Sequence, residues 1–283
     1  CYFLEEIWNM YDNFVKNVNG SKYGQLLDFC YKGTIFQKPN MEEYKNMCKK
    51  LLRNLLLLAD GNYGYENFFK YCDMLYIWIY FETKKKKLTN SIIEEIFDDL
   101  VKFLTEEYRK ACPYFSYSEN LHEPHKLMKL RIFEHNIYTF QNILDNISDP
   151  HNCSCLKYAY ECINIYNDMN KRFCATDEHK NTINKGTCDI LEIFNTLYSN
   201  YIRNVNRGIY ELPLLSDTTN ATYTPTDTYV TRCLLNKQKS KLDSSTVDQS
   251  SNPKQISIST AFGSMAGIPP FLVLIYKVNI IYT

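Results

Sequence analysis

The sequence predicts an all-α protein: a multi-helix bundle, then a flexible stalk, then one C-terminal helix of membrane-spanning length. Three observations predict it. Only 9 glycines and 9 prolines occur in 283 residues, too few for many tight turns, so long helices joined by few loops are expected. Apolar residues recur at spacings of three and four through most of the first 200 or so positions, which is the period of a helix with one buried face. Ile256 to Tyr276 carries no charged residue, and as a helix those 21 positions reach about 31 Å, close to the thickness of a hydrocarbon core. A composition that is 45% hydrophobic and 15% aromatic supplies a core and argues against disorder throughout.

The first helix is expected over Tyr2 to Val18, where Phe3, Leu4, Ile7, Trp8, Tyr11, Phe14, Val15 and Val18 share a face. A second starts near Asn40, after Pro39, carries Tyr44, Met47, Cys48, Leu51, Leu52 and Leu55 inward, and stops at Asp60-Gly61-Asn62. Tyr65 to Thr83 is apolar nearly all round, which places it at the centre of the bundle. With Lys70 and Asp73 inside it, it reads as a core helix, not a span. The four lysines Lys84 to Lys87 follow. They read first as a solvated helix end whose cations suit the dipole, with contact to an acidic lipid or partner as the alternative.

Ser91-Ile92-Ile93-Glu94 has the form of a capping box, and the helix behind it should end by Cys112-Pro113. Leu127 to Ile147 is helical in period and closes at Asp149-Pro150; Cys155 to Phe173 and, after a Gly186 loop, Thr187 to Ile202 complete the set. The domain organisation expected is a helical domain over 1–212, a stalk over 213–255, a span over 256–276 and a short tail over 277–283.

From about Ser216 to Gln255 the chain turns to Ser, Thr, Asn, Asp, Gln and Lys, with Cys233 alone among them. Within the span Pro269-Pro270 interrupts the apolar run, and Gly263 and Gly267 match a small-residue helix-packing motif. Orientation is contested between two signals. Lys237, Lys239, Lys241 and Lys254 precede the span and only Lys277 follows it, which by charge places the helical domain in the cytoplasm. Eleven cysteines read mainly as disulfides, which form outside the cytosol, and this reading is given precedence. Cys1 to Met10 lacks the basic start and apolar run of a signal peptide, so either an upstream segment or signal-less export is expected.

Lysine plus arginine equal aspartate plus glutamate at 32 each, so no global field draws the chain to nucleic acid. Asn, Lys, Tyr, Ile and Phe are abundant, all encoded by AT-rich codons, which accounts for 24 tyrosines better than a paratope-like surface. No phosphate loop, nucleophile elbow, zinc-protease helix or Rossmann fingerprint occurs. His122-Glu123-Pro124-His125 has the wrong spacing for a metalloprotease, its histidines three apart around a proline. His151, Cys153, Cys155, Cys162, Cys174 and His179 could surround a zinc ion, but Cys-x-Cys without a matching second pair favours disulfides. Four Asn-x-Ser/Thr sequons carry little weight in a chain so rich in asparagine. The expectation is a non-enzyme with no catalytic residue, no metal and no cofactor.

Helix geometry further nominates a disulfide between Cys48 and Cys72. If the helices flanking Asp60-Gly61-Asn62 form an antiparallel hairpin, Cys48 lies 12 residues before Asp60 and Cys72 12 after it. Both then stand about 18 Å from the turn, level across the pair. Two buried thiols, or a Cys30 to Cys48 bridge with the 29–38 segment folded back over the second helix, are the alternatives.

Taken in order, Cys48-Lys49-Lys50-Leu51-Leu52-Arg53-Asn54-Leu55, Tyr71-Cys72-Asp73-Met74-Leu75-Tyr76-Ile77-Trp78-Ile79-Tyr80, Cys153-Ser154-Cys155-Leu156-Lys157-Tyr158 with Cys162, Ile165-Tyr166-Asn167-Asp168-Met169 and the apolar segment ending Leu274-Ile275-Tyr276-Lys277 resemble the Plasmodium interspersed repeat superfamily, in its vivax-type variant (Vir) branch. The likeness covers nearly the whole chain and rests on order and spacing. It implies a variant surface antigen of a malaria parasite, displayed on or exported to the infected red-cell membrane, with an unidentified host or parasite surface protein as partner and membrane lipid around the span. The tail Val278 to Thr283 departs from the family, and its Val-Asn start fits read-through into an AT-rich intron. The competing expectation is an intracellular, membrane-anchored helical scaffold with reduced or zinc-bound cysteines.

Overall fold

A computed structural model describes residues 2–18, 24, 26–32, 36, 41–60, 65–108, 112–145, 153–175, 183–202 and 215. Of these, 83% are helical and none is in a strand, so the chain is all-α over its described part. Among the described residues no helix is long and apolar enough to cross a membrane. The 256–276 segment, with Gly263 and Gly267, lies outside them, as do the tail and all of the stalk but Leu215.

The helices are α1 (Tyr2–Val15), α2 (Phe29–Lys32), α3 (Glu42–Asp60), α4 (Tyr65–Lys86), α5 (Asn90–Tyr108), α6 (Pro124–Glu134), α7 (Ile137–Asp145), α8 (Cys153–Phe173) and α9 (Lys185–Leu197), the last continued by a π-helical turn, Tyr198–Ile202. They sort into two compact units: Glu6–Leu121, and His122 onward together with residues 1–5.

In the first unit α3 packs mainly on α5 and also on α2 and α4. The stretch Met74 to Tyr80 of α4 is buried at every position, with Trp78 fully enclosed and its ring 6.3 Å from Phe14. That is the central helix its uninterrupted apolar composition predicts. α1 ends at Val15, earlier than its apolar spacing to Val18 suggests, because its last carbonyls are claimed from outside. Arg53 donates to the Asn13 carbonyl at 2.8 Å and buried Asn54 donates to the Phe14 carbonyl at 3.1 Å, so the helix terminates on side-chain donors from α3.

α4 runs three residues past Thr83 and stops in a Schellman motif: the Leu88 amide bonds the Thr83 carbonyl at 2.9 Å and the Lys87 amide the Lys84 carbonyl at 3.3 Å. Lys87 sits at the left-handed position with φ 52°. The helix after it starts earlier than the capping box at Ser91 implies. The Thr89 carbonyl accepts from the Ile93 amide at 3.2 Å, which makes Thr89 the N-cap and leaves Ser91 exposed inside the first turn. Beyond α5, Phe115 and Tyr117 lay their rings beside one another at 5.0 Å, and Phe115 stands 5.7 Å from Tyr76 of α4.

In the second unit α6 is the enclosed helix: Leu127, Met128, Lys129, Leu130, Ile132, Phe133 and Glu134 are all buried. It packs against α8 and α9, while α7 leans on the π-helical turn. An aromatic run binds the unit, from Phe3 to Phe140 (4.9 Å), Phe140 to Phe133 (4.3 Å), Phe133 to Phe194 (5.2 Å) and Phe194 to Tyr198 (5.9 Å). The single helix expected over 127–147 is two. At the break, the buried Asn136 side chain donates to the Ile132 carbonyl at 2.7 Å, in place of its own backbone amide, which turns to Phe133 at 3.0 Å. A side-chain amide that substitutes for the i to i−4 bond ends a helix without loss of a buried hydrogen bond. The Asn136 carbonyl then accepts from the Phe140 amide at 2.9 Å and opens α7.

Candidate functional site

Cys48 and Cys72 each enter a disulfide, but not with one another. Cys48 pairs with Cys30 (Cα–Cα 5.7 Å) and Cys72 with Cys112 (Cα–Cα 5.6 Å). Spacing along the chain sets the height of each cysteine along its helix and leaves the direction around the axis open. Cys48 points at α2, which folds back over α3. Cys72 lies on a helix buried on almost all sides, where the apolar pattern names no face, and it looks to the segment after α5. A third disulfide joins Cys174 to Cys188 across the start of α9, and Cys155 is disulfide-bonded as well.

These pairings remove ligands from the zinc cluster weighed above, since Cys155 and Cys174 hold no free thiolate. His151, His179 and the Cys153 side chain lie outside the described residues, and among the described residues no group of three His, Cys, Asp or Glu has metal-site geometry. Cys162 is the free cysteine among the described residues. Full burial, and secondarily Glu161, push its thiol well above the ordinary range. It faces the Lys129 carbonyl at 3.9 Å and packs as a small apolar side chain, because nucleophilic cysteines need the opposite shift and access to solvent.

The densest charged cluster surrounds the first turn of α6. Glu123, at φ 46°, sits in the left-handed region before Pro124. Lys126 bridges back to Glu123 at 2.6 Å and across to Asp168 of α8 at 2.9 Å, while Arg172 pairs with both Glu123 and Asp168. Burial opposes ionisation of both carboxylates, but hydrogen bonds from Lys126 and Arg172 outweigh it and hold both below their usual range. Beside them the His122 ring stacks on Phe173 at 4.1 Å and its Nε2 meets Asn184 Oδ1 at 2.7 Å. The Phe173 carbonyl accepts from Asn184 Nδ2 at 3.1 Å. Every group here is directed at another protein group. The cluster therefore fastens α6, α8 and α9 together. The His122-Glu123-Pro124-His125 stretch belongs to this fastening, with Pro124 as the first helical residue.

In the first unit a cleft between α4 and the 112–118 segment, lined by Tyr76, Thr83, Ile93 and Phe115, holds about 10 Å³. That admits one water and no substrate. Thr83 Oγ1 is buried there without a hydrogen-bond partner, which such a water would satisfy. Comparison with known proteins finds no family model, no curated protein and no solved structure that matches the chain.

Proposed function

We propose that the chain is a non-enzymatic variant surface antigen of the Plasmodium interspersed repeat superfamily, Vir branch. It is displayed on or exported to the infected red-cell membrane, where it serves host interaction or immune evasion. The helical domain is the outward part, the 213–255 segment a stalk, and 256–276 the anchor, with Gly263 and Gly267 as its helix-packing face. The supporting observation is the disulfide set Cys30–Cys48, Cys72–Cys112 and Cys174–Cys188, since such bonds persist in oxidising compartments and are rare in the cytosol. Recognition belongs to surface loops on a rigid helical frame, and the partner is a host or parasite surface protein.

The lysine excess before the 256–276 segment favours the second reading, a membrane-anchored scaffold facing the cytosol. Protease treatment of intact infected cells, combined with thiol counting, separates the two. Cleavage of the helical domain without permeabilisation, with most cysteines resistant to alkylation before reduction, supports surface display. Full protection with reactive thiols defeats it. The anchor is tested by carbonate extraction: the full chain stays with membranes and a truncation after Asn252 is soluble, whereas release of the full chain refutes a span.

A further inference from the structure

We propose that Cys155 is bonded to Cys1, a disulfide that ties the start of the chain to α8 and closes the intervening residues into one covalent loop. Cys155 is buried in the first turn of α8 and is disulfide-bonded. Of the eleven cysteines, Cys30, Cys48, Cys72, Cys112, Cys174 and Cys188 pair among themselves, and Cys162 is free and buried. Cys1, Cys153 and Cys233 remain. Cys153 stands two residues before Cys155 on the same helix, and residues two apart on a helix do not face one another. Cys233 lies in the polar 216–255 stretch, outside the described residues, and is the rival partner.

Geometry favours Cys1, because the start of α1 is already held against this face of α8. Buried Phe3 sets its ring 6.0 Å from Tyr158 and 4.9 Å from Phe140, whose own ring stacks on Tyr158 at 5.9 Å. Tyr158 and Cys155 are three residues apart and so share a face of α8. Cys1 comes two residues before Phe3, and residues 1–5 belong to the same compact unit as α8. A residue two before Phe3 and one three before Tyr158 are each within about one helical turn, about 5.4 Å, of that ring contact. A disulfide joins Cα atoms about 4.4–6.8 Å apart. The bond forms as the two thiols lose two protons and two electrons to the disulfide of an oxidoreductase, which is reduced to a dithiol.

The bond changes what a break in the backbone does. A cut between α3 and α4 separates Cys30 and Cys48 from Cys72, Cys112, Cys174 and Cys188, and no pairing among those six crosses it. Cys1–Cys155 does cross it. A chain cut at that joint therefore remains one covalent piece, and the part before the joint is released only on reduction.

The test uses the full-length oxidised protein with a site-specific protease sequence inserted between Gly61 and Asn62. After cleavage and alkylation of free thiols, one band is expected on a denaturing gel without reductant and two with it. Cys155→Ser should give two bands without reductant, while Cys153→Ser keeps one. Two bands from the otherwise unaltered chain without reductant would overturn the proposal, and so would a Cys155→Ser protein that stays joined. Non-reducing peptide mapping of the chain without the insertion guards against a folding defect. Recovery of the Cys1 peptide joined to Cys155 supports the assignment, and recovery of Cys155 joined to Cys233 defeats it. The pairing does not rest on the antigen reading, which protease protection on intact cells decides by itself, so the two fail separately.

Discussion

Replacement of Cys112 by alanine tests the disulfide framework at its most informative point. The Cys72–Cys112 bond spans 40 residues, against 18 for Cys30–Cys48 and 14 for Cys174–Cys188. Loop-closure entropy grows with the logarithm of loop length, so the three bonds stabilise the fold by about 3.9, 3.2 and 3.0 kcal/mol in the chain-entropy treatment. The loops do not overlap in sequence, so their contributions, about 10 kcal/mol together, are comparable to the whole stability of an ordinary domain. Cys112→Ala should therefore cost about 4 kcal/mol and lower the melting temperature by about 8–16 °C for a chain of this size.

Thiol counting in denaturant without reductant gives the sign that stability alone cannot. With the Cys72–Cys112 bond, Cys112→Ala releases Cys72 and adds one titratable thiol. With a Cys48–Cys72 bond, Cys112 lies outside the pair and its removal releases no thiol. Non-reducing peptide mapping that recovers Cys48 joined to Cys72, or a Cys112→Ala protein with no new thiol and unchanged stability, refutes the reasoning from these helix directions.

Two further outcomes follow from the second unit. Glu123 and Asp168 have carboxyl pKa values held down by Lys126 and Arg172, so their contribution is present above the unfolded carboxyl range of about 4 and is lost as pH falls through the lower folded values. Arg172→Met should weaken the fold by about 1 kcal/mol near neutrality, because the cluster is partly exposed. It should also flatten the acid limb of a stability-versus-pH curve measured by denaturant titration; an unchanged acid limb would count against the network. Phe133, fully buried between Phe140 and Phe194, should cost about 3–5 kcal/mol on replacement by alanine. Calorimetry reading under about 1 kcal/mol would mean that the aromatic run is not the core of its unit.

Helix existence was legible because it is local. Spacings of three and four marked every long helix of the described chain, and the unbroken apolar run of α4 marked it as central before any partner was known. Helix ends were legible only where the terminating signal is also local, as at Asp60 with Gly61 after it. The end of α1 escaped because its carbonyls are claimed by Arg53 and Asn54, forty residues away. The break at Asn136 escaped because asparagine within an apolar period reads as one polar position, and only the packed structure shows its side chain bonded to the Ile132 carbonyl. The short helix α2 gave no periodic signal at four residues.

That cysteines would be paired was readable from their number; which pairs form was not. Sequence distance determines how far along a helix a residue stands, and nothing more. Direction around the axis, about 100° per residue, is settled by the neighbours a helix acquires, and α4, apolar on every side, offers no preferred face to read. The same holds for the lysines. The sequence by itself determined an all-α chain, its central helix and a run of four cations after it. Only the tertiary structure decided that one of those cations, Lys86, meets Glu43 at the start of α3, where that ion pair and the Tyr44–Thr89 contact join the two segments.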